Sequence, residues 1–556
     1  MGEVDVPKLV LCDLVSLKVE RFRAVRPKVA VRMSLPVFVE GVAMPVADPA
    51  DTAGVVAGLC NRVGRRVCPE LDPMLLEEFR VFVREAVRRD FQPVAADVDL
   101  RFETWLDKTK YSLARKEELR RSYYLDRERM IEAPLAVRDT YVKVHVKDEA
   151  YPEFKLPRLI LARKDRFKTR YGRYIKVMEE VVYAHESFVK HVPPAERAEH
   201  VKRVLGVIRF LLNIDATAYE HSFQDGLKNA VEVECYSYLL SQIPLEDFND
   251  FVFLYSKTRG VNKLFHRELE ILMEERKKSG EMDTSLSNTL TTKYVSEFIA
   301  FKTNQTVNCV AEGDDNLANF SHSYPDATWW ARLGIVAKCE RVESVNKASF
   351  CGMVFDTESG CNVTNPYVHL AKFGWTSAAY EGSSLKKQKI LLLVKSLSLL
   401  YQFPGCPVVQ ELALMGMRMC PGIKVRECFK EVMSARAAGS RGAYLQEREL
   451  LALESYQAGL SVEKPVQAGS RFVMFDVFGM DVQTQLDVEA ALRAHRGGRL
   501  QLPCDFPPLW REYWESFSLD GTSYRPTSSA DCLPAVLAHV AACGAAVTFS
   551  TILPQR

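Results

Sequence analysis

Two apolar runs of strand length each end abruptly in acid, and that pattern constrains the fold more than any other feature of the chain. Val204 to Ile214 runs into Asp215, and Thr306 to Ala311 runs into Glu312-Gly313-Asp314-Asp315-Asn316 before a further apolar pair. The second arrangement reads as a β-hairpin whose tight turn carries adjacent carboxylates. Strands ending side by side bring both acidic tips together, and crowded carboxylates repel one another unless a cation neutralises them. Hard oxygen donors with open positions suit Mg²⁺, with Mn²⁺ as a substitute. The chemistry suggested is two-metal phosphoryl transfer, in which one ion activates an attacking oxygen and the other stabilises the leaving pyrophosphate.

A Gly-Asp-Asp triplet alone is an ordinary turn. What lies around it gives it meaning. After Asp215, Ser222-Phe223-Gln224-Asp225 matches a capping box opening an amphipathic helix through Leu240. Further on, Ser279-Gly280-Glu281-Met282-Asp283-Thr284-Ser285-Leu286-Ser287-Asn288 reads as a flexible Ser-Gly loop running into a helix. Thr284 and Asn288 fall four apart on one helical face, either as a hydrated surface or as a pair reaching for a sugar hydroxyl. Upstream, Lys155 to Lys176 holds nine basic residues against one acid, interleaved with aromatics that can stack on bases.

In their order and spacing, Asp215, the Ser-Gly-x3-Thr-x3-Asn element and Gly-Asp-Asp resemble motifs A, B and C of the viral RNA-dependent RNA polymerases. The resemblance implies that Asp215 and Asp314 hold two metal ions, with Asp315 as the neighbouring carboxylate. It also implies that Glu220, five residues after Asp215, acts with Asn288 on the ribose 2′-hydroxyl, helped by Ser279, Gly280 and Thr284 in the nucleotide site. Many relatives carry Asp where this chain has Glu220. The basic stretch resembles motif F, which assigns Lys155 and Arg158 to the incoming triphosphate and Arg163, Arg166, Arg170 and Arg173 to RNA or triphosphate. Leu333 to Lys338 resembles motif D and implies Lys338 as general acid for pyrophosphate, with Lys347 as the other choice. Phe350-Cys351-Gly352 resembles motif E, where Cys351 is read as packing rather than as a nucleophile.

Phe102-Glu103-Thr104-Trp105-Leu106, the form of motif F and Ser279-Gly280-Glu281-Met282 look most like the tombusvirus- and nodavirus-like positive-strand RNA viruses. The fold implied is α+β, a right hand whose palm is an antiparallel sheet carrying the acidic motifs and whose thumb is mostly helical. Residues 1–95 are expected as an N-terminal extension in the fingers or bridging fingers and thumb, 96–203 and 226–275 as fingers, 204–225 and 276–375 as palm, and 376–556 as thumb and C-terminal region. Helices are expected over Leu75 to Phe91, Leu385 to Tyr401 and Ala443 to Ala458.

Composition bounds the rest. The 556 residues are 47% hydrophobic and 26% charged, the proportions of a packed globular chain. A net charge of +2 gives no general argument for nucleic acid, so any basic footprint is local. Fourteen cysteines without a C-x-x-C pair fit free thiols in a reducing cytosol. No signal peptide or myristoylation pattern opens the chain. The apolar stretches Ile390 to Leu400 and Cys532 to Phe549 read as core helices rather than membrane spans. The implied function is template-directed RNA synthesis in viral genome replication and transcription. Its partners would be RNA template and product strand, ribonucleoside triphosphates, and viral or host replication proteins. It would act in the host cytoplasm, with recruitment to membrane-associated replication sites. The alternatives are a reverse transcriptase-like polymerase or a catalytically inactive RNA-binding replication protein.

Overall fold

In the computed structural model the described residues are 14–19, short stretches between 28 and 62, 71–428 and 447–505 with short gaps that include 150–156, and 540–549 except 543. Two sheets organise them. The palm sheet has four antiparallel strands in the order Val307–Glu312, Asp315–Phe320, Phe210–Ala216, Ala337–Val342. A second sheet, called the fingers sheet after the expectation above, has six, in the order Ala546–Phe549, Leu14–Val19, Leu269–Met273, Asn262–His266, Val142–Val146, Leu159–Arg163.

Side chains alternate across a strand, and the first palm strand uses both of its faces. Leu212 and Ile214 join a core with Leu286, Leu290, Val295 and Phe298 of the Thr284–Lys302 helix and with Phe79 and Val83 of the Pro73–Asp90 helix. Leu211 joins Val310 and Leu317 in a second core with Phe350, Phe355 and the Leu385–Gln402 helix. The palm sheet is thus covered on both faces away from its acidic end. Its central helix is buried nearly all round, as a helix packed between layers must be.

The expected acidic strands form, the second shifted by one residue and the first starting later than its apolar run. Helix Arg197–Leu205 occupies the first part of the run from Val204, and Gly206 at φ 63 ends it before Phe210 starts the strand. The helix expected from Leu75 begins at Pro73, because Asp72 caps it by accepting from the Met74 and Leu75 N–H groups at 3.1 Å and proline suits the first helical position. The Ser222 capping box does not form. A tight turn through Ala218 (φ 49) carries Ser222 into the core, and the helix starts at Asp225 and passes through a π-helical turn at Asn229–Val233. Helix Leu385–Gln402 lies as expected, as does Glu447–Gln457, before which 443–446 lie outside the described residues.

Cys532 to Phe549 corrects the core-helix reading in part, since 540–542 are helical and the strand follows them. Ala546–Phe549 is a strand parallel to Leu14–Val19, its Val547 and Thr548 being good strand formers, and 532–539 lie outside the described residues. The basic stretch is also not one unit: it divides into the Leu159–Arg163 strand and the amphipathic Asp165–Val182 helix. The N-terminal region reaches in two directions. Leu14–Val19 sits inside the fingers sheet, whereas Val31–Arg32 pairs with Trp375–Thr376 and Phe38–Val39 with Arg499–Leu500. Among the described residues no helix is long and apolar enough to cross a membrane.

Leu17 is 0% exposed in the fingers sheet. Leu17→Ala is therefore expected to destabilise the protein by about 2–5 kcal/mol in urea denaturation; a neutral effect would remove this strand from the core.

Candidate active site

Asp215 is the next-to-last residue of the central palm strand and is exposed there. Its strand partners are Asp315 on one side and Lys338 on the other. Residues directly opposite in an antiparallel pair point to the same face, with Cβ atoms about 4.5–5.5 Å apart. Register alone thus sets Asp315, Asp215 and Lys338 side by side on the open face. Glu312 pairs with Asp315 and closes a two-residue turn of Gly313 and Asp314. Gly313 takes φ 66, a conformation glycine adopts without strain, as the first turn position of this hairpin type requires. Asp314 is thereby held at the apex.

The carboxyls feel their crowding. Asp315 is pushed up to about 6, by desolvation first and then by the charges of Asp314 and Asp215. Asp314 is also raised, chiefly through desolvation by the walls of the cleft and further by Glu220 and Asp215, while Arg158 opposes the shift. Cys351 lies beside this cluster in a turn with φ 52, its Sγ 3.7 Å from Glu312 Oε2. Burial, followed by Glu312 and Asp315, pushes its thiol well up, as suits packing and not nucleophilic attack.

The Thr284–Lys302 helix grips the acidic turn through two residues that the motif reading misses. Thr289 Oγ1 accepts from the Gly313 N–H at 2.8 Å, and Thr292 Oγ1 donates to the Gly313 carbonyl at 2.8 Å. Both polar groups of one peptide-bearing residue are thus fixed from a single helix. The Thr292 and Tyr219 hydroxyls lie 3.2 Å apart, which ties the residue before Glu220 to the same point. The signal was present in the sequence as two threonines three apart, next to Asn288.

Asn288 is buried, and its Oδ1 has no partner among the described residues. Glu220 is half-buried at the end of the strand-to-helix turn. The other residues expected at the nucleotide serve the loop itself. Ser279 Oγ donates to the Leu159 carbonyl at 3.0 Å, Gly280 N–H to the Leu161 carbonyl at 3.1 Å, and Thr284 Oγ1 to the Lys278 carbonyl at 2.7 Å. A Cβ at Gly280 would stand 2.7 Å from the Leu161 oxygen, so only glycine permits this close approach to the fingers strand.

The basic residues divide sharply. Arg158 is exposed, 3.6 Å from Glu149, and within electrostatic reach of Asp314. Lys155 lies outside the described residues. Arg163 is buried, with Nε and Nη2 donating to Glu281 Oε1 at 3.0 and 2.7 Å and Nη1 donating to the Thr140 carbonyl. Arg166 donates to the Ser122 carbonyl at 3.1 Å, Arg170 to the Ala133 carbonyl at 2.9 Å and Arg173 to Asp250 at 3.1 Å. These four are fastened to other parts of the chain, where the expectation put them on RNA or triphosphate. Of the two lysines, Lys338 stands beside Asp215, while Lys347 is drawn toward Glu343 and Asp476 at 3.7 and 3.5 Å.

An antiparallel palm sheet with an acid at the end of its central strand, a Gly-Asp-Asp hairpin beside it and a buried helix behind defines a right-hand polymerase fold. The chain is similar to the RNA-directed RNA polymerase of Panicum mosaic virus (strain United States/Kansas 109S), at 22% identity over 400 residues that cover 64% of this chain and 36% of that protein. It thus spans about a third of the length of the curated relative, and the likeness to a viral RNA-directed RNA polymerase fixes no branch. Solved structures of the RNA-dependent RNA polymerase of a human picorbirnavirus resemble it at 12% identity. The first has a TM-score of 0.48 over 70% of this chain and 76% of that one, and an insertion-loop deletion mutant has 0.49 over 75% and 85%. No family model matches the chain.

Because the folded state holds the Asp315 proton more tightly than the unfolded chain, stability falls as pH rises between the ordinary value of 3.8 and about 6. Metal-free Asp315→Asn is therefore expected to melt above the parent protein at neutral pH, with the difference closing below pH ~4; an equal difference at both pH values would exclude the titration. Thr289→Val, which strands the Gly313 N–H, is expected to cost about 1–3 kcal/mol in urea denaturation.

Proposed function

We propose that this chain is an RNA-directed RNA polymerase that extends a product strand along an RNA template by nucleotidyl transfer from ribonucleoside triphosphates. The observation that carries the reading is the register that sets Asp215 between Asp315 and Lys338, with Asp314 at the tip of a turn clamped from behind.

Divalent cations fit this place in charge and donor type. Asp215, Asp314 and Asp315 offer only oxygen donors, and Asp314 and Asp315 are raised by desolvation first and by neighbouring carboxylates next, both of which a bound cation would offset. Among the described residues no three His, Cys, Asp or Glu side chains form a ready-made metal cluster, so the fit rests on charge and donor chemistry. Bound there, Mg²⁺ or Mn²⁺ would supply activation of the attacking 3′-hydroxyl and neutralisation of charge on the leaving pyrophosphate. The chain's own groups do the rest. Arg158 and Lys155 attract the triphosphate, Glu220 and Asn288 read the ribose 2′-hydroxyl, and Lys338 delivers a proton to the departing pyrophosphate oxygen. Asn288 Oδ1, buried without a partner, is an acceptor that a sugar hydroxyl would satisfy.

A carboxylate and an amide at the sugar position favour ribonucleotides and count against the reverse-transcriptase reading. Retention of all three acids counts against an inactive RNA-binding protein. The tombusvirus- and nodavirus-like placement, viral or host replication proteins as partners, and action in host cytoplasm at membrane-associated sites belong to the same proposal. Support for the branch is the Phe102–Leu106 and Ser279–Met282 sequences.

Purified protein with a short RNA template, the four ribonucleotides and Mg²⁺ or Mn²⁺ is expected to incorporate label, and Asp314→Ala or Asp315→Ala to lose about 10³-fold or more. Undiminished incorporation by either variant would sink the assignment. Glu220→Ala and Asn288→Ala are expected to narrow the preference for ATP over dATP, read as the ratio of kcat/KM; an unchanged ratio would remove both residues from sugar recognition.

A further inference from the structure

Behind the loop that leads into the Thr284–Lys302 helix, three charged side chains are withdrawn from solvent: Lys277 and Glu232 at 1% exposure and Asp283 at 0%. Lys277 Nζ donates to Glu232 Oε1 at 2.9 Å and to Asp283 Oδ2 at 2.6 Å. Glu232 also accepts from Ser287 Oγ at 2.5 Å and from Tyr255 OH at 2.9 Å. Tyr171 and Tyr236 donate to Asp283 Oδ2 at 3.2 and 3.3 Å. Burying such charges costs more than packing apolar side chains of the same volume, so stability alone does not account for them. Their geometry does.

Lys277 is held at both ends, and each end reaches one half of the sugar-reading pair. Its backbone N–H donates to the Glu220 carbonyl at 3.1 Å. Its ammonium grips Asp283, whose carbonyl accepts the Ser287 N–H at 2.8 Å at the root of the helix. The same ammonium grips Glu232, which holds the hydroxyl of Ser287, the residue before Asn288. Glu232 itself sits in the π-helical turn Asn229–Val233, an irregularity that helices tend to keep at functional sites. Glu220 and Asn288 lie on different segments, and this lysine with its glutamate is a hydrogen-bonded path joining the two.

We propose that Lys277 and Glu232 are positioning residues that fix the spacing of Glu220 and Asn288 and thereby set the selection of ribonucleotides over deoxyribonucleotides. The inference rests on the polymerase reading above. Neither residue touches substrate in this account; both act through the pair they hold.

The test is single-nucleotide incorporation of ATP and of dATP by Ser287→Ala, which removes one hydrogen bond from Glu232, and by Glu232→Gln, which keeps its shape and removes its charge. The ratio of kcat/KM for ATP over dATP is expected to fall about tenfold, roughly what one hydrogen bond to a charged group supplies. The change should lie in KM, with kcat for ATP within about twofold of the parent. Ser287→Thr, which restores the hydroxyl, should recover the ratio. An unchanged ratio in folded Ser287→Ala and Glu232→Gln overturns the inference, as does an equal loss for both nucleotides, the mark of a merely loosened fold. Should Glu232→Gln fail to fold, Ser287→Ala decides. A parent protein that incorporates no ribonucleotide defeats the polymerase reading and this inference with it, whereas an active parent with unaltered variants defeats this inference alone.

Discussion

Mutual repulsion among the carboxylates at one end of a four-stranded sheet is the constraint that the rest of the palm answers. Asp215, Asp314 and Asp315 are crowded by register and by a two-residue turn, and neighbouring charge adds to desolvation in raising Asp314 and Asp315. Nothing local favours such a cluster. It persists because the far ends of the same strands are locked between two hydrophobic cores, with Leu211 in one and Leu212 in the other. The cost at the open end is offset by burial several residues away.

The Thr284–Lys302 helix transmits that support. Its apolar residues fill the core beneath the sheet, its threonines seize Gly313, and its root is anchored by Lys277 and Asp283. The preceding loop is stitched to the fingers strand at Leu159 and Leu161. One segment therefore connects the fingers sheet, the acidic turn, Glu220 and Asn288. A displacement at any of these points is felt at the others, because packed interiors transmit strain instead of absorbing it.

Much of this was legible in the residues. The acidic strand ends, the hairpin between Glu312 and Asp315 and the helix after Asp283 all follow from local pattern, and their order carried the polymerase resemblance. Side-chain destinations were less legible. Arg163, Arg166, Arg170 and Arg173 look alike in a basic run, yet Arg163 meets Glu281 and Arg173 meets Asp250, partners set by tertiary packing and invisible to spacing. Ser279 and Thr284 likewise have the right chemistry for a nucleotide but spend their hydroxyls on backbone carbonyls. Local signals also misjudged the end of the Cys532 to Phe549 stretch, because an apolar stretch does not declare whether a distant strand awaits it. The Gly313 clamp was missed for the opposite reason: threonines on a helix are too ordinary to attract notice until the turn they hold is in place.

The parallel pairing of Leu14–Val19 with Ala546–Phe549 has a consequence in time. Ser16 is among the first described residues to leave the ribosome, and its partner Ala546 among the last. The fingers sheet can assemble from its inner strands while synthesis proceeds, but the outer edge of Leu14–Val19 stays unpaired until Ala546–Phe549 has been made. An exposed strand edge is a template for wrong partners. Translation speed and chaperone supply in the interval between these two strands are thus built into the yield of this protein, through a contact only four residues long.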